Sequence, residues 1–429
     1  MKPVRKEGPV FSKIVFGLFL LLVASLAVQW PAVFYLEGFP VAVTDLLFPV
    51  VAVLAAVSFI LRTDKLRWTR AYILFAVYLA AFIFASVFAH DLSRSATKSL
   101  ATAYLVGLAI LSLNLICDEG RLRMTIAAWM IGSTIPVAVG LLALILFYIA
   151  PDNSILPHIT YHYGAVPVGP YPRLSSTFIS ASMFCNYLNI VVMLLLIERT
   201  IGWLNERLWW VSFVASCVCL IFTISSGMGA VVLAIGMWVY YRQRSRIGIV
   251  ALVTGVGICT FFLLSSFIAL APHSTAPYSF VLPVINIVVY PSPRLLVWTE
   301  AFQTFAGNFL VGNGPGSASA AVVFANTEGG HSLLTDAHNT FLSVAAQTGF
   351  LGLLSIIGIC VYLLRIGFAD RSNPIVFGLA TAFLTGFVVH GLTGSFEDAR
   401  HLWVLIGMLV AASLNERPSL DHNLGRSSQ

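Results

Sequence analysis

Thr125-Ile-Ala-Ala-Trp-Met-Ile-Gly-Ser-Thr-Ile-Pro-Val-Ala-Val-Gly-Leu-Leu-Ala-Leu-Ile-Leu-Phe-Tyr-Ile-Ala150 runs without one charged side chain, closed off by Arg121 and Arg123 on one side and Asp152 on the other. A helix rising 1.5 Å per residue needs about 20 such residues to cross a hydrocarbon core of roughly 30 Å. Working outward, similar runs predict helical spans near 14–36, 41–61, 71–89, 100–117, 178–198, 208–225, 228–241, 247–270, 349–366, 374–394 and 402–414. The runs are too long and too continuous for the alternating strands of an outer-membrane barrel. Of the 429 residues 59% are hydrophobic and 10% charged, against roughly 25% charged in a soluble domain. A soluble enzyme is thereby excluded, and the expected fold is an all-α integral membrane protein of twelve spans. All six cysteines lie within apolar runs and read as small membrane residues, neither disulfides nor a metal set.

Twelve crossings place both termini on one face. That face holds all but five of the 24 Lys and Arg, and the positive-inside rule makes it cytoplasmic. Lys2, Arg5, Lys6 and Lys13 belong to it as the flank of a first span, because the apolar run continues through Phe34 and Tyr35 where a signal peptide would have ended. The net charge of +6 is thus a topology signal; no basic cluster interleaved with exposed aromatics speaks for nucleic acid. Only Arg94, Lys98, Arg173, Arg294 and Arg400 fall on the outer face. Residues 1–270 then form nine spans with an outer loop at 151–177. Residues 271–348 form a large outer loop, 349–414 three more spans, and 415–429 a cytoplasmic tail. Long loops in a compact protein carry function. His90, His158, His162, His273, His331, His338, His390 and His401 lie in outer loops or at outer helix ends, and His422 alone is cytoplasmic.

Within the large loop, Ser292-Pro293 reads as an N-cap followed by proline at the first helical position, opening a helix from Arg294 to Gly307. A glycine-rich turn, Val311-Gly-Asn-Gly-Pro-Gly-Ser317, follows. Thr335 or Asp336 is expected to cap a second helix, Ala337 to Gln347, ending at Gly349. His338 would sit at its start, where the helix dipole disfavours an imidazolium and leaves a neutral ring able to take a proton. Asp336 pulls the other way, and a hydrogen-bonded loop histidine is the plainer alternative. Arg173, Arg294 and Arg400 are three separated outer arginines, and guanidinium groups suit phosphate; lipid-headgroup anchoring or ion pairs with Glu300, Glu397 or Asp398 are the competing explanation. The turn Gly312-Asn-Gly-Pro-Gly316 lacks the Lys-Ser/Thr of a phosphate loop and is expected to be structural. No Asp-x-Asp or His-x-x-His spacing appears on the outer face, so no metal is expected.

Asp336-Ala-His-Asn-Thr-Phe-Leu-Ser-Val-Ala-Ala-Gln-Thr-Gly349, with Arg294-Leu-Leu-Val-Trp-Thr-Glu-Ala-Phe302, Gly312-Asn-Gly-Pro-Gly316 and Arg173-Leu-Ser-Ser-Thr-Phe178 leading to Asn186-Tyr-Leu188, resembles the O-antigen ligase and O-antigen polymerase family over residues 170–365. The resemblance implies a GT-C type glycosyltransferase of a bacterial inner membrane. It would move a glycan from undecaprenyl diphosphate to lipid A-core at the periplasmic face, with no cofactor, nucleotide or metal. His338 would be the catalytic base and Arg173 and Arg294 would bind the diphosphate, with Asp336, Asn339, Arg400 and Asp398 in supporting roles. One departure stands out: members often carry Ser-Arg-Gly where this chain has Ser225-Ser-Gly-Met-Gly229. A polymerase shares the chemistry and differs in its acceptor, a second lipid-linked glycan; one dominant loop and a compact length favour the ligase. A transporter or flippase would need charges within its spans, and Asp45 near a helix end is the exception here. The oligomeric state is left open.

Overall fold

The computed structural model describes residues 10–36, 39–61, 66–163, 171–271, 279–282, 287–325, 331–369 and 371–415. Its fourteen helices in chain order are α1 (Val10–Ser25), α2 (Val43–Ile60), α3 (Ala71–Val87), α4 (Leu92–Leu115), α5 (Glu119–Ile149), α6 (Leu156–Ile159), α7 (Ala181–Ile201), α8 (Glu206–Ile221), α9 (Gly227–Gln243), α10 (Arg246–Ser265), α11 (Pro293–Gly307), α12 (Thr340–Gly367), α13 (Pro374–Phe383) and α14 (Arg400–Asn415). Each of the twelve expected spans overlaps a helix, but the first, expected over 14–36, ends at Ser25, and Phe34 and Tyr35 lie in a strand instead of continuing it. Seven are long and apolar enough to cross a membrane, among them α13 continued to Leu392; the shorter apolar helices are α1, α3 and α14. The expectation of an all-α chain is corrected in detail. Antiparallel pairs β1 (Phe34–Leu36) with β2 (Phe39–Val41) and β3 (Thr160–Tyr163) with β4 (Tyr171–Leu174) join helices. In the large loop, β5 (Ile268–Ala271) and β6 (Phe280–Leu282) flank β7 (Ile287–Pro291), and β8 (Val322–Ala325) pairs with β9 (His331–Leu334).

Similar hydropathy hides opposite surroundings. In α7, 89% of the span is buried, whereas in α10 it is 11%, so α10 turns its side chains outward and α7 is the pillar around which α8, α9 and α13 pack. On the other side α14 packs on α4 and α12 on α3. Large rings fill the middle: Trp129, Tyr187, Phe178, Phe184, Phe387 and Trp403 are all essentially without exposure.

Two boundaries differ from expectation in ways that matter for the site. The α4 helix begins at Leu92, where Asp91 accepts the Arg94 backbone N–H, so Lys98 belongs to the helix and is buried rather than in an outer loop. The α12 helix begins at Thr340, not at Ala337, because Asn339 is the cap: its Oδ1 accepts the N–H groups of Phe341 and Leu342 at 3.1 and 3.0 Å. The helix breaks at Gly349 (φ 67°) and continues as a span. A side chain there would meet the Leu310 carbonyl at 2.3 Å, so only glycine fits this position.

Candidate active site

The break at Gly349 explains the glycine-rich turn. Carbonyls of Ala346 and Gln347, left without their helical donors, accept from the Asn313 and Gly314 N–H groups at 2.9 and 3.0 Å, and Phe350 N–H turns to the Phe309 carbonyl at 2.7 Å. Gly316 N–H donates to Gln347 Oε1 at 2.8 Å. The turn's amides are therefore spent on α12 and do not form a phosphate cradle. At Gly312 (φ 64°) a Cβ would lie 2.5 Å from the Gln347 carbonyl carbon, so the turn and α12 touch backbone to backbone.

This clamp holds the segment before α12 in an unusual shape. His338 adopts φ 47°, a left-handed conformation that costs a non-glycine residue energy and clusters at functional positions. Its backbone N–H donates to Asp336 Oδ1 at 3.3 Å and its ring Nδ1 lies 3.4 Å from Asp336 Oδ2. Ser395 Oγ donates to the same Oδ1 at 2.6 Å and fixes the carboxylate. Nδ1 is turned to the acid, and the side chain is 41% exposed. Burial of the ring, with the positive charges of Arg294 and Arg173, holds the His338 pKa below its usual 6.5 against the opposing pull of Asp336. The direction is towards a ring that gives up its proton more readily than a free imidazole.

Arg294 opens α11, whose N-cap is Ser292, and its Nη1 donates to Ser266 Oγ at 3.4 Å. Trp298, one turn on, donates from Nε1 to the Ala337 carbonyl at 2.8 Å and docks α11 beside His338. Arg173 comes from β4: its Nε donates to the Thr223 carbonyl at 3.2 Å, while Leu174 N–H donates to the Phe222 carbonyl at 2.8 Å. Arg173 is thereby seated on the α8–α9 turn, the stretch where Ser225-Ser-Gly lacks an arginine. In that turn Ser226 Oγ accepts from Thr393 Oγ1 at 2.8 Å. Three elements distant in sequence so bring His338, Asp336, Arg294 and Arg173 to one electrostatic site.

Residues 210–357 match the family described as O-antigen ligase. Through this segment the chain is similar to the O-antigen ligase family. Arg294, the glycine-rich turn, Asp336, His338 and Asn339 fall inside the matched segment, while Arg173, Glu397, Asp398 and Arg400 lie beyond it. No curated protein matches the chain.

The remaining expected residues have other surroundings. Arg400 gives Asp45 a two-pronged ion pair, Nε to Oδ1 at 2.6 Å and Nη2 to Oδ2 at 2.5 Å, and Asp398 pairs with Lys98. These four charges share the rim of a cleft of about 610 Å³ whose walls, from α2 and α4, include Phe48, Leu100, Tyr104 and Leu105. The loop from Ser395 to Arg400 thus separates the two places: Ser395 and Glu397 turn to α12 and its approach, Asp398 and Arg400 to the cleft. Among the described residues no group of three or more His, Cys, Asp or Glu could hold a metal ion.

Sequence reasoning undervalued Glu397, treating it only as an ion-pair partner for arginine. It is buried, and its Oε1 accepts from Ser343 Oγ at 2.5 Å. The adjacent acids Glu397-Asp398 in a loop between two spans were the available signal.

Proposed function

We propose that the protein transfers a glycan from a polyprenyl diphosphate, undecaprenyl diphosphate in the bacterial inner membrane, to a hydroxyl of lipid A-core at the periplasmic face. The observation that carries this reading is the convergence of Arg294 and Arg173 on a neutral His338 backed by Asp336. His338 Nε2 takes the proton of the acceptor hydroxyl as its oxygen bonds to the anomeric carbon. The bond from that carbon to the diphosphate oxygen breaks, and its electron pair stays on the diphosphate, where Arg294 and Arg173 meet the growing charge. Each charged hydrogen bond there contributes about 1.5–3 kcal/mol. Attack opposite the leaving group inverts the anomeric centre. The donor arrives activated, so the step needs no nucleotide, metal or cofactor. Arg173, seated on the Ser225–Gly229 turn, supplies the positive charge that the turn itself lacks. The apolar cleft beside Arg400 and Lys98 has the chemistry to take a lipid chain from the outer leaflet.

The twelve helical segments serve this reading as twelve crossings with both termini cytoplasmic, residues 271–348 forming the large periplasmic loop. Purified protein in vesicles, given polyprenyl-diphosphate-linked glycan and lipid A-core, is expected to place glycan on the lipid A-core. Lengthening of the lipid-linked glycan without lipid A-core would show a polymerase instead, and no transfer to either acceptor would overturn the reading.

A further inference from the structure

Glu397 lies in the loop before α14, 5% exposed and enclosed by α3, α4, α12 and α14. Oε1 accepts from Ser343 Oγ; Ser343 in turn accepts from Gln347 Nε2 at 3.0 Å, and Gln347 Oε1 accepts from Gly316 N–H at 2.8 Å. One side-chain relay therefore joins the last outer loop, the first two turns of α12 and the glycine-rich turn. Backbone bonds fasten the same loop to the start of α12: Thr340 N–H donates to the Gly394 carbonyl at 3.0 Å and Phe396 N–H to Thr340 Oγ1 at 2.8 Å. The second oxygen, Oε2, has no hydrogen-bond partner among the described residues and is fully enclosed. A carboxylate leaving one oxygen unsatisfied in such a place would cost several kcal/mol, roughly the price of any unpaired buried charge, whereas a carboxylic acid leaves there a neutral hydroxyl, whose burial costs less.

We propose that Glu397 is a positioning residue, an uncharged carboxylic acid that locks the first turns of α12, and hence His338, against the glycine-rich turn and α11. The inference rests on the glycan-transfer reading and deepens it. The groups facing Glu397 are Tyr78 from α3, Lys98 from α4, Ser343 from α12, Asp336 from the segment before it, and Asp398 beside it. Burial above all, with the negative charges of Asp398 and Asp336, pushes its carboxyl up to about 8 against the pull of Lys98. Above that pH a new negative charge appears next to Asp336, opposed by Lys98 alone. The relay to Ser343 is then disturbed and His338 loses its setting.

The test compares Glu397→Gln with Glu397→Ala in vesicles carrying the donor and lipid A-core, with His338→Ala alongside. Glutamine copies the shape of the neutral acid but cannot ionise. It is expected to keep kcat within about threefold of wild type, with the alkaline fall near pH 8 removed, whereas alanine lowers kcat by about tenfold or more at every pH, as misplacement near reacting atoms does. A second readout needs no turnover: the infrared band of a protonated carboxyl at pH 7, lost on raising the pH past 8 and missing in Glu397→Gln. Glutamine as damaging as alanine, an unshifted alkaline limb, or no such band would overturn the inference. A wild-type protein that shows the band but transfers nothing would leave the inference standing and remove the glycan-transfer reading.

Discussion

His338 and His390 look alike in the sequence, each an outer-face histidine near a helix end, and both border the turn from Leu392 to Phe396. In the fold their surroundings are opposite. His390 is 2% exposed, with Nδ1 3.1 Å from Asn186 Nδ2 and Nε2 3.4 Å from Ser225 Oγ. Its other neighbours close the pocket: the Phe396 ring centre is 4.4 Å away, and a Cβ on Gly227 would touch its ring at 2.4 Å. Asn186 also accepts from His401 Nε2 at 2.9 Å and donates to the Gly386 carbonyl at 2.7 Å, a carbonyl within the π-helical turn Leu384–Val389. His390 is part of the packing between α7 and the end of α13. His338 has one nitrogen on a carboxylate, no hydrogen bond to Nε2 among the described residues, and an exposed edge. A base needs an oriented rear and an open front, and only His338 has both.

The largest effect expected from this contrast is on the rate. His338→Ala lowers glycan transfer by at least about 100-fold, as loss of a general base does, with unchanged thermal stability in detergent. His390→Ala instead lowers the melting temperature, since it opens a cavity and removes one of the three hydrogen bonds of Asn186, and the folded fraction keeps most of its transfer. A reversed pattern would break the comparison.

Arg294→Ala and Arg173→Ala come next, each costing about 10–100-fold in kcat/KM with a diphosphate donor, the equivalent of one charged hydrogen bond. They also sharpen the electrostatic account. Either loss removes a positive charge that holds His338 down, so the acid limb of the rate profile moves up towards pH 6.5. Asp336→Asn, expected to lower transfer through looser ring orientation, acts with the opposite sign: it removes the one influence raising the His338 pKa, and the acid limb moves to lower pH. If both kinds of variant shift the limb the same way, His338 is not the group titrating. The smallest effect is none: EDTA leaves transfer unchanged, and inhibition reversed by magnesium would show a metal dependence that the residues around His338 give no reason to expect.

Much of this was readable before folding. Uninterrupted apolar runs located the membrane-type helices, though not the end of the first at Ser25, and Ser292-Pro293 marked the start of α11 because capping is local. Local signals failed where two were in competition. Asp336 and Asn339 are both good caps; Asn339 wins because Asp336 is taken by His338 and Ser395, the latter 59 residues away. Polar Leu92-Ser-Arg-Ser-Ala-Thr-Lys98 hid the first turns of α4, as hydropathy cannot see a helix end that pairs its lysine with Asp398. Arg400 read like Arg173 and Arg294 until Asp45, far off in sequence, claimed it. The Ser343–Glu397 and Asn186–His390 contacts span 54 and 204 residues, distances at which a single sequence holds no periodicity to read.

The most direct test of His338 as the base is the response of His338→Ala to added imidazole. The open edge of the site admits a small ring, and transfer is predicted to rise with the concentration of neutral imidazole, while His390→Ala shows no response. Transfer by His338→Ala within about threefold of wild type in the absence of imidazole, a drop far less than the roughly 100-fold or more that loss of a general base costs, would contradict the account.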